Sequence, residues 1–125
     1  GAILASVLLK IMFSENLTLG AIIPSGELVQ SFILEFVLTF FLMLTILGVT
    51  SKKEFSNLAG LIIGIVVTGI ILFAGPISGG SFNPARSLAP AIVSGNFTAL
   101  WIYITAPILG AIVAMFVWKG INKTE

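Results

Sequence analysis

Residues 79–90 read GGSFNPARSLAP, a stretch that interrupts an otherwise strongly apolar chain. It combines two glycines, two prolines and Arg86 between long runs of Ile, Leu, Val and Phe. Asn83 followed by Pro84 is a helix start in its preferred order, because a capping side chain precedes proline at the first helical position. The sequence therefore predicts a short helix that opens at this point, between two of the most apolar segments of the chain.

The composition predicts an integral membrane protein. Of the 125 residues, 58% are hydrophobic and 9% are charged, and the mean hydropathy of +1.17 lies outside the range of soluble domains. The sequence contains no His, Cys or Asp, which excludes a His-based triad, a thiol nucleophile and a Cys/His metal site. The few basic residues form no cluster for nucleic acid. We therefore expect no enzyme, no cofactor, no metal site and no nucleic-acid partner.

Three segments are long and apolar enough to cross a bilayer, namely residues 28–49, 58–73 and 100–118. Residues 1–13 are also apolar but too short to cross, and we interpret them as the tail of a preceding helix. Residues 14–27 are rich in turn formers and predict a loop outside the membrane. The chain is thus expected to be a fragment, or one half of a larger assembly.

The lysines predict the orientation of these spans. Lys52 and Lys53 follow the first span, and Lys119 and Lys123 follow the third, which places all of them on one side of the membrane. Because short cytoplasmic loops carry an excess of Lys and Arg, we expect the 50–57 loop and the C-terminus to be cytoplasmic.

Residues 74–99 are too polar for two further spans and too apolar for an ordinary loop. From Asn83 onward they predict a helix of about 15 Å, which is half the thickness of a bilayer. Non-helical backbone at membrane depth is tolerated only when it is buried in protein or lines water, and Arg86 also needs a hydrated or hydrogen-bonded position. A re-entrant pore loop with a half-helix satisfies these conditions. The alternative is a surface loop in which Asn83 caps an interfacial helix.

Glu35 lies near the middle of the first span, where a carboxylate needs a partner inside the bundle. We hypothesise that it braces the re-entrant segment through backbone N–H groups and Arg86 without touching solute. The alternative is a protonated, neutral Glu35 that faces another span.

Small residues recur at helical spacing in two spans. Gly60 and Gly64 lie four residues apart, as do Ala106, Gly110 and Ala114. Such rows allow helix backbones to approach closely in lipid, so they predict a tightly packed bundle.

The stretches SGGSFNPARS (78–87) and LWIYITAPILGAIVA (100–114), with the mid-span glutamate, resemble the second half of the major intrinsic proteins, the aquaporin and glycerol-facilitator family. The resemblance implies an all-α membrane protein with three transmembrane helices and a re-entrant half-helix. These elements form one inverted repeat of a six-helix bundle, in which two Asn-Pro-Ala boxes meet at the pore centre. It also implies a lipid bilayer, the missing N-terminal repeat and a homotetramer as partners.

By the same resemblance, the Asn83 amide would donate to a single file of permeant molecules. Arg86 and the Gly80 carbonyl would line an outer constriction, together with Ile71, where water-selective relatives commonly have His. Ile71 could alternatively contact only lipid or another helix. The full set expected to line the pore is Ile71, Gly80, Ser81, Asn83, Pro84, Ala85 and Arg86.

The resemblance is strongest to nodulin-type intrinsic proteins and their bacterial relatives, in particular at Tyr103 and Ile104, whereas Ser87 and Ala91 follow the water-channel pattern. It implies a passive channel for water and small uncharged solutes such as glycerol, urea or metalloid acids, with ions and protons excluded. The alternatives are a strictly water-selective channel, a secondary transporter and a non-conducting structural fragment.

Overall fold

A computed structural model of the chain describes residues 1–122, and this range contains α-helices and no β-strand. The helices are α1 (Ala2–Met12), α2 (Leu28–Ser51), α3 (Lys53–Ser56), α4 (Ala59–Ser78), α5 (Pro84–Ser94) and α6 (Leu100–Ile121). Among these, α2, α4 and α6 are long and apolar enough to cross a membrane. The predicted all-α membrane fold is confirmed. Lys123, which contributed to the predicted orientation, lies outside the described residues.

The second span extends to Ser78, beyond its predicted end at residue 73, so the pore loop begins later than expected. Pro76 lies inside α4 close to its C-terminal end, where its missing N–H removes one hydrogen bond and leaves the preceding turns intact. The helix ends instead at Gly79, whose φ of 83° is left-handed and whose N–H donates to the Gly75 carbonyl. Both other spans also run slightly beyond their predicted ends, and α3 occupies the 50–57 connection.

The small-residue row on α6 packs against α2. Ala106, Gly110 and Ala114 are all buried. A methyl group added to Gly110 would lie 3.1 Å from the Phe40 nitrogen and even closer to the Phe36 carbonyl oxygen. Glycine at this position therefore sets the close approach of the two helix backbones, as the spacing predicts.

The glycine row on α4 has no such neighbour among residues 1–122. A methyl group added to Gly60, Gly64 or Gly69 would meet no atom of residues 1–122 within 4 Å. α4 packs against α2 by another part of its surface, and the glycine row remains open.

The half-helix α5 packs between α1 and α6. Lys10, at the end of α1, donates from Nζ to the Val93 carbonyl near the C-terminus of α5, over 3.3 Å. A cation at this helix end is favourable because the last carbonyls carry a negative partial charge. α5 is thus held at its C-terminal end, away from the Asn-Pro-Ala sequence.

Candidate functional site

The Asn-Pro-Ala sequence opens α5 through local chemistry. Asn83 has an extended backbone (φ −152°) and accepts a hydrogen bond at Oδ1 from the Ala85 N–H, over 2.9 Å, while Pro84 occupies the first helical position. Because the cap uses the side-chain oxygen, the amide NH₂ of Asn83 is directed away from the helix. The side chain is exposed, so this donor is available to another molecule.

The approach to α5 is an extended turn with unusual backbone angles. Gly79, Gly80 and Phe82 have positive φ values of 83°, 65° and 52°. Glycine adopts this region readily, whereas Phe82 pays a steric penalty there. The turn therefore requires external restraint, and hydrogen bonds from the bundle supply it.

Glu35 is fully buried and accepts from three donors of this turn. Oε1 accepts from the Ser78 hydroxyl and the Ser81 N–H, both over 2.9 Å, and Oε2 accepts from the Phe82 N–H over 2.7 Å. Hydrogen bonds to a carboxylate are stronger than neutral ones. This carboxylate therefore ties α2 to the turn and restrains Phe82 in its strained conformation.

Within residues 1–122, Arg86 makes no hydrogen bond to Glu35, although we expected it among the partners of that carboxylate. Its Nη1 donates instead to the Gly80 carbonyl, over 2.9 Å. The physical reason is position: the Glu35 carboxylate is fully buried and bonded to backbone and hydroxyl donors, whereas Arg86 is exposed and reaches the Gly80 carbonyl. Its guanidinium therefore remains accessible.

Ile71 lies beside Gly80. A methyl group added to Gly80 would lie 3.6 Å from Ile71 Cγ1. Ile71 and Arg86 thus both lie beside Gly80. The fold gathers an apolar side chain, a backbone carbonyl and a cationic side chain around this one residue. Ile71 is half-buried.

Ser81 is one of the residues expected to line the pore. It is 3% exposed, and its hydroxyl lies 2.6 Å from the Ser87 hydroxyl and donates to the Asn83 carbonyl over 2.9 Å. The hydroxyl is turned inward because it connects the turn to the first turn of α5. Of the remaining expected residues, Asn83, Ala85 and Arg86 are exposed, Ile71 and Pro84 are half-buried, and Gly80 is buried.

Sequence reasoning missed two members of the network, Ser78 and Tyr103. The Ser78 hydroxyl donates to Glu35 and accepts from the Gly80 N–H over 3.2 Å, and the Ser78 carbonyl accepts from the Tyr103 hydroxyl. Tyr103 entered only through the family resemblance. One signal was present, since a tyrosine inside an apolar span must find a partner for its hydroxyl.

An apolar cavity of about 220 Å³ adjoins the N-terminus of α5. Asn83 and Pro84 form one wall, and residues of α2 and α6, among them Thr39 and Met43, form the rest. Thr39 is 6% exposed, and its hydroxyl has no hydrogen-bond partner within residues 1–122. Space therefore exists directly beside the Asn-Pro-Ala box.

Comparisons with known proteins agree with this architecture. Residues 1–118 match the family model of the major intrinsic proteins. The chain is 41% identical to Aquaporin NIP1-1 of Zea mays, 40% identical to Nodulin-26 of Glycine max and 43% identical to Aquaporin NIP2-1 of Arabidopsis thaliana. Each alignment covers 100% of this chain and 45%, 47% and 46% of the respective relative.

The chain thus spans about half the length of these curated relatives. Its resemblance to the family, and to nodulin-type relatives within it, is confirmed. Family and spans together make it an integral, multi-pass membrane protein, and the chain belongs to the major intrinsic protein family.

Proposed function

We propose that this chain forms one half of a passive channel for water and small uncharged solutes. The observation that carries the proposal is that Asn83 and Arg86 are exposed on one side of a segment whose other side is fastened to α2. An amide and a guanidinium at membrane depth are costly against lipid, so they require a hydrated passage. The family is one of channels rather than enzymes.

Selectivity for neutral solutes follows from the same groups. A passing molecule exchanges hydrogen bonds with water for bonds to the Asn83 amide and the Arg86 guanidinium. Cations and protons are opposed by the Arg86 charge and by the positive N-terminal end of α5. Conduction needs neither a covalent step nor a cofactor.

Ile71 favours a solute range wider than water alone. Its branched apolar side chain lies beside Gly80, whose carbonyl binds Arg86, and an amphipathic constriction of this kind suits glycerol, urea and uncharged metalloid acids. The names of the relatives, Aquaporin NIP1-1 and Nodulin-26, agree with a nodulin-type channel. A strictly water-selective channel is the outcome that this constriction disfavours.

The channel proposed here needs two kinds of protein partner. The exposed box and the adjoining cavity require a complementary N-terminal repeat to close the passage, and the family resemblance implies a homotetramer. In this assembly the 50–57 loop and the C-terminus are cytoplasmic, because the lysines on that side follow the charge rule for short loops.

A chimera tests this function. Residues 1–125 replace the matching region of maize Aquaporin NIP1-1, and the product, here called the chimera, is reconstituted into proteoliposomes. Light scattering after osmotic shock with glycerol, urea or boric acid should show fast water efflux followed by solute entry. The maize protein serves as the positive control, and empty liposomes as the negative control.

A tetrameric chimera that conducts neither water nor any of the three solutes would contradict the proposal. Uptake that depends on an imposed ion gradient would instead indicate a secondary transporter. Entry of water alone would keep the channel and remove the wider solute range.

A further inference from the structure

Tyr103 is fully buried on α6, and its hydroxyl donates to the carbonyl oxygen of Ser78, the last residue of α4. This contact joins α6 to the start of the turn that leads to the Asn-Pro-Ala box. The ring of Tyr103 is held in place by the core cluster that contains Ile22, Ile102 and Ala106. The hydroxyl therefore has a defined position, set by packing rather than by the turn itself.

Each successive peptide unit of the turn is held at one or both ends. In the Ser78–Gly79 unit, the carbonyl accepts from Tyr103 and the Gly79 N–H donates to Gly75. In the next unit, the Gly80 N–H donates to the Ser78 hydroxyl.

The third unit contains the Gly80 carbonyl, which accepts from Arg86, and the Ser81 N–H, which donates to Glu35. Because a peptide unit is planar, its C=O and N–H groups reorient together, so a hydrogen bond at either end holds the whole unit. Tyr103 therefore acts on the first of three linked planes.

We infer that Tyr103 is a positioning residue for selectivity: through the Ser78 carbonyl it sets the orientation of the Gly80 carbonyl and of the Arg86 guanidinium bound to it. This inference rests on the proposed channel function. Gly79 and Gly80 in succession make the backbone of the turn intrinsically flexible. The hydrogen bond from Tyr103 on α6 therefore restricts a segment whose own residues do not.

Replacing Tyr103 with Phe keeps the ring in the core and removes only the hydroxyl. The Ser78 carbonyl then lies in a dry position without its donor, which is unfavourable for a buried backbone group. Rotation of the Ser78–Gly79 unit relieves this and carries the Gly80 carbonyl with it. The constriction changes shape although none of its own residues has been altered.

The first experiment measures hydrogen exchange by mass spectrometry on the full chain in lipid nanodiscs. In Tyr103→Phe, the amides of Gly80, Ser81 and Phe82 should exchange about tenfold faster, which corresponds to about 1.4 kcal/mol. Thr105→Val is the matched control, because it removes a hydroxyl from the same helix that bonds only to Trp101 of that helix.

The second experiment measures the ratio of glycerol to water permeability in the chimera. Tyr103→Phe should change this ratio at least severalfold, whereas Thr105→Val should leave it unchanged. A merely structural tyrosine would lower the amount of folded protein without altering the ratio of the two fluxes.

The outcomes separate this inference from the proposed function. Unchanged exchange in the turn overturns the inference, as does faster exchange with an unchanged flux ratio. General acceleration throughout α2 and α6 also overturns it, because Tyr103 would then be a core residue only. If the parent chimera conducts nothing, the proposed function fails, while the exchange comparison still decides whether Tyr103 restrains the turn.

Discussion

The turn before α5 and the start of that helix have two sides, a bundle side that packs on α2 and α6 and an open side that is exposed. The polar groups of the two sides are treated in opposite ways. On the bundle side, Glu35, Ser78 and Tyr103 are fully buried and hydrogen-bonded, and Gly110 admits the backbone of α2. On the open side, Asn83 and Arg86 are exposed. Under the proposed function this segment lies at membrane depth, where the bundle satisfies its backbone and its side chains remain available to another molecule.

The largest effect should come from Glu35→Ala on the bundle side. This change leaves the N–H groups of Ser81 and Phe82 and the Ser78 hydroxyl without their acceptor in a buried place. We expect a loss of about 3 kcal/mol or more in the free energy of unfolding, measured by thermal unfolding in detergent micelles. Glu27→Ala is the control, because Glu27 is exposed and makes no side-chain cap bond at the start of the same helix.

Equal stability of Glu35→Ala and Glu27→Ala would contradict the conclusion that Glu35 holds the turn in place. Glu35→Gln sharpens the test, because one amide NH₂ would then face a donor of the turn. A fully stable and conducting Glu35→Gln chimera would favour the alternative of a neutral Glu35.

Gly110→Ala should have the next largest effect. The added methyl would collide with the backbone of α2 at Phe36 and Phe40, so the helices must separate, at a cost of about 1–3 kcal/mol. The matched control is Gly64→Ala on the open row of α4, where the methyl meets no atom of the described chain. There the higher helix propensity of alanine should give a gain of about 0.5–1 kcal/mol.

In the assembled chimera this pair of variants becomes more informative. If Gly64→Ala lowers the stability of the chimera but not of the isolated chain, another subunit or repeat covers the α4 row. If Gly110→Ala is harmless in both, the close α2–α6 contact is contradicted.

Arg86→Ala tests the open side, where the effect should be on selectivity and little on stability. The side chain is exposed and makes a hydrogen bond to Gly80, so its loss leaves the turn fastened by Glu35. We expect larger or charged solutes to enter proteoliposomes that contain the Arg86→Ala chimera faster, as measured by light scattering and by ion flux. Lys52→Ala, an exposed cation outside the turn, should leave selectivity unchanged, and identical behaviour of the two variants would count against the proposed constriction.

Thr39→Val should have the smallest effect. The hydroxyl is buried without a hydrogen-bond partner among residues 1–122, and valine has nearly the same shape, so stability should change by no more than about 0.5 kcal/mol or rise slightly. Ser81→Ala is the contrasting variant, because it removes a buried hydroxyl that is bonded to α5, and it should cost about 1–2 kcal/mol. A clear loss with Thr39→Val in the chimera would show that the complementary repeat supplies a partner.

Local chemistry explains what the sequence could predict. The helix start at Pro84 depends on neighbouring residues alone, because the cap and the proline act within one turn. The three spans follow from length and hydropathy. The contact between Glu35 and the turn could be proposed from the sequence because a carboxylate inside a membrane span needs hydrogen-bond donors.

Tertiary geometry explains what it could not predict. The second span was predicted to end at residue 73, yet α4 continues past Pro76 to Ser78, and Gly79 ends the helix. Arg86 donates to the Gly80 carbonyl and not to Glu35 because of the path of the turn, which no local pattern specifies. The bond between Tyr103 and Ser78 joins two helices whose relative position no local pattern specifies.

The most direct test of the central claim introduces a thiol on the open side at the start of α5. The chain has no cysteine, so Ala85→Cys can be modified selectively in a chimera whose remaining part is also cysteine-free, and a helix N-terminus favours the reactive thiolate. We predict that methyl methanethiosulfonate, a small neutral reagent, blocks glycerol entry through Ala85→Cys but not through Leu72→Cys, which lies on the exposed surface of α4. Unchanged glycerol entry through modified Ala85→Cys would contradict an aqueous passage at the Asn-Pro-Ala box.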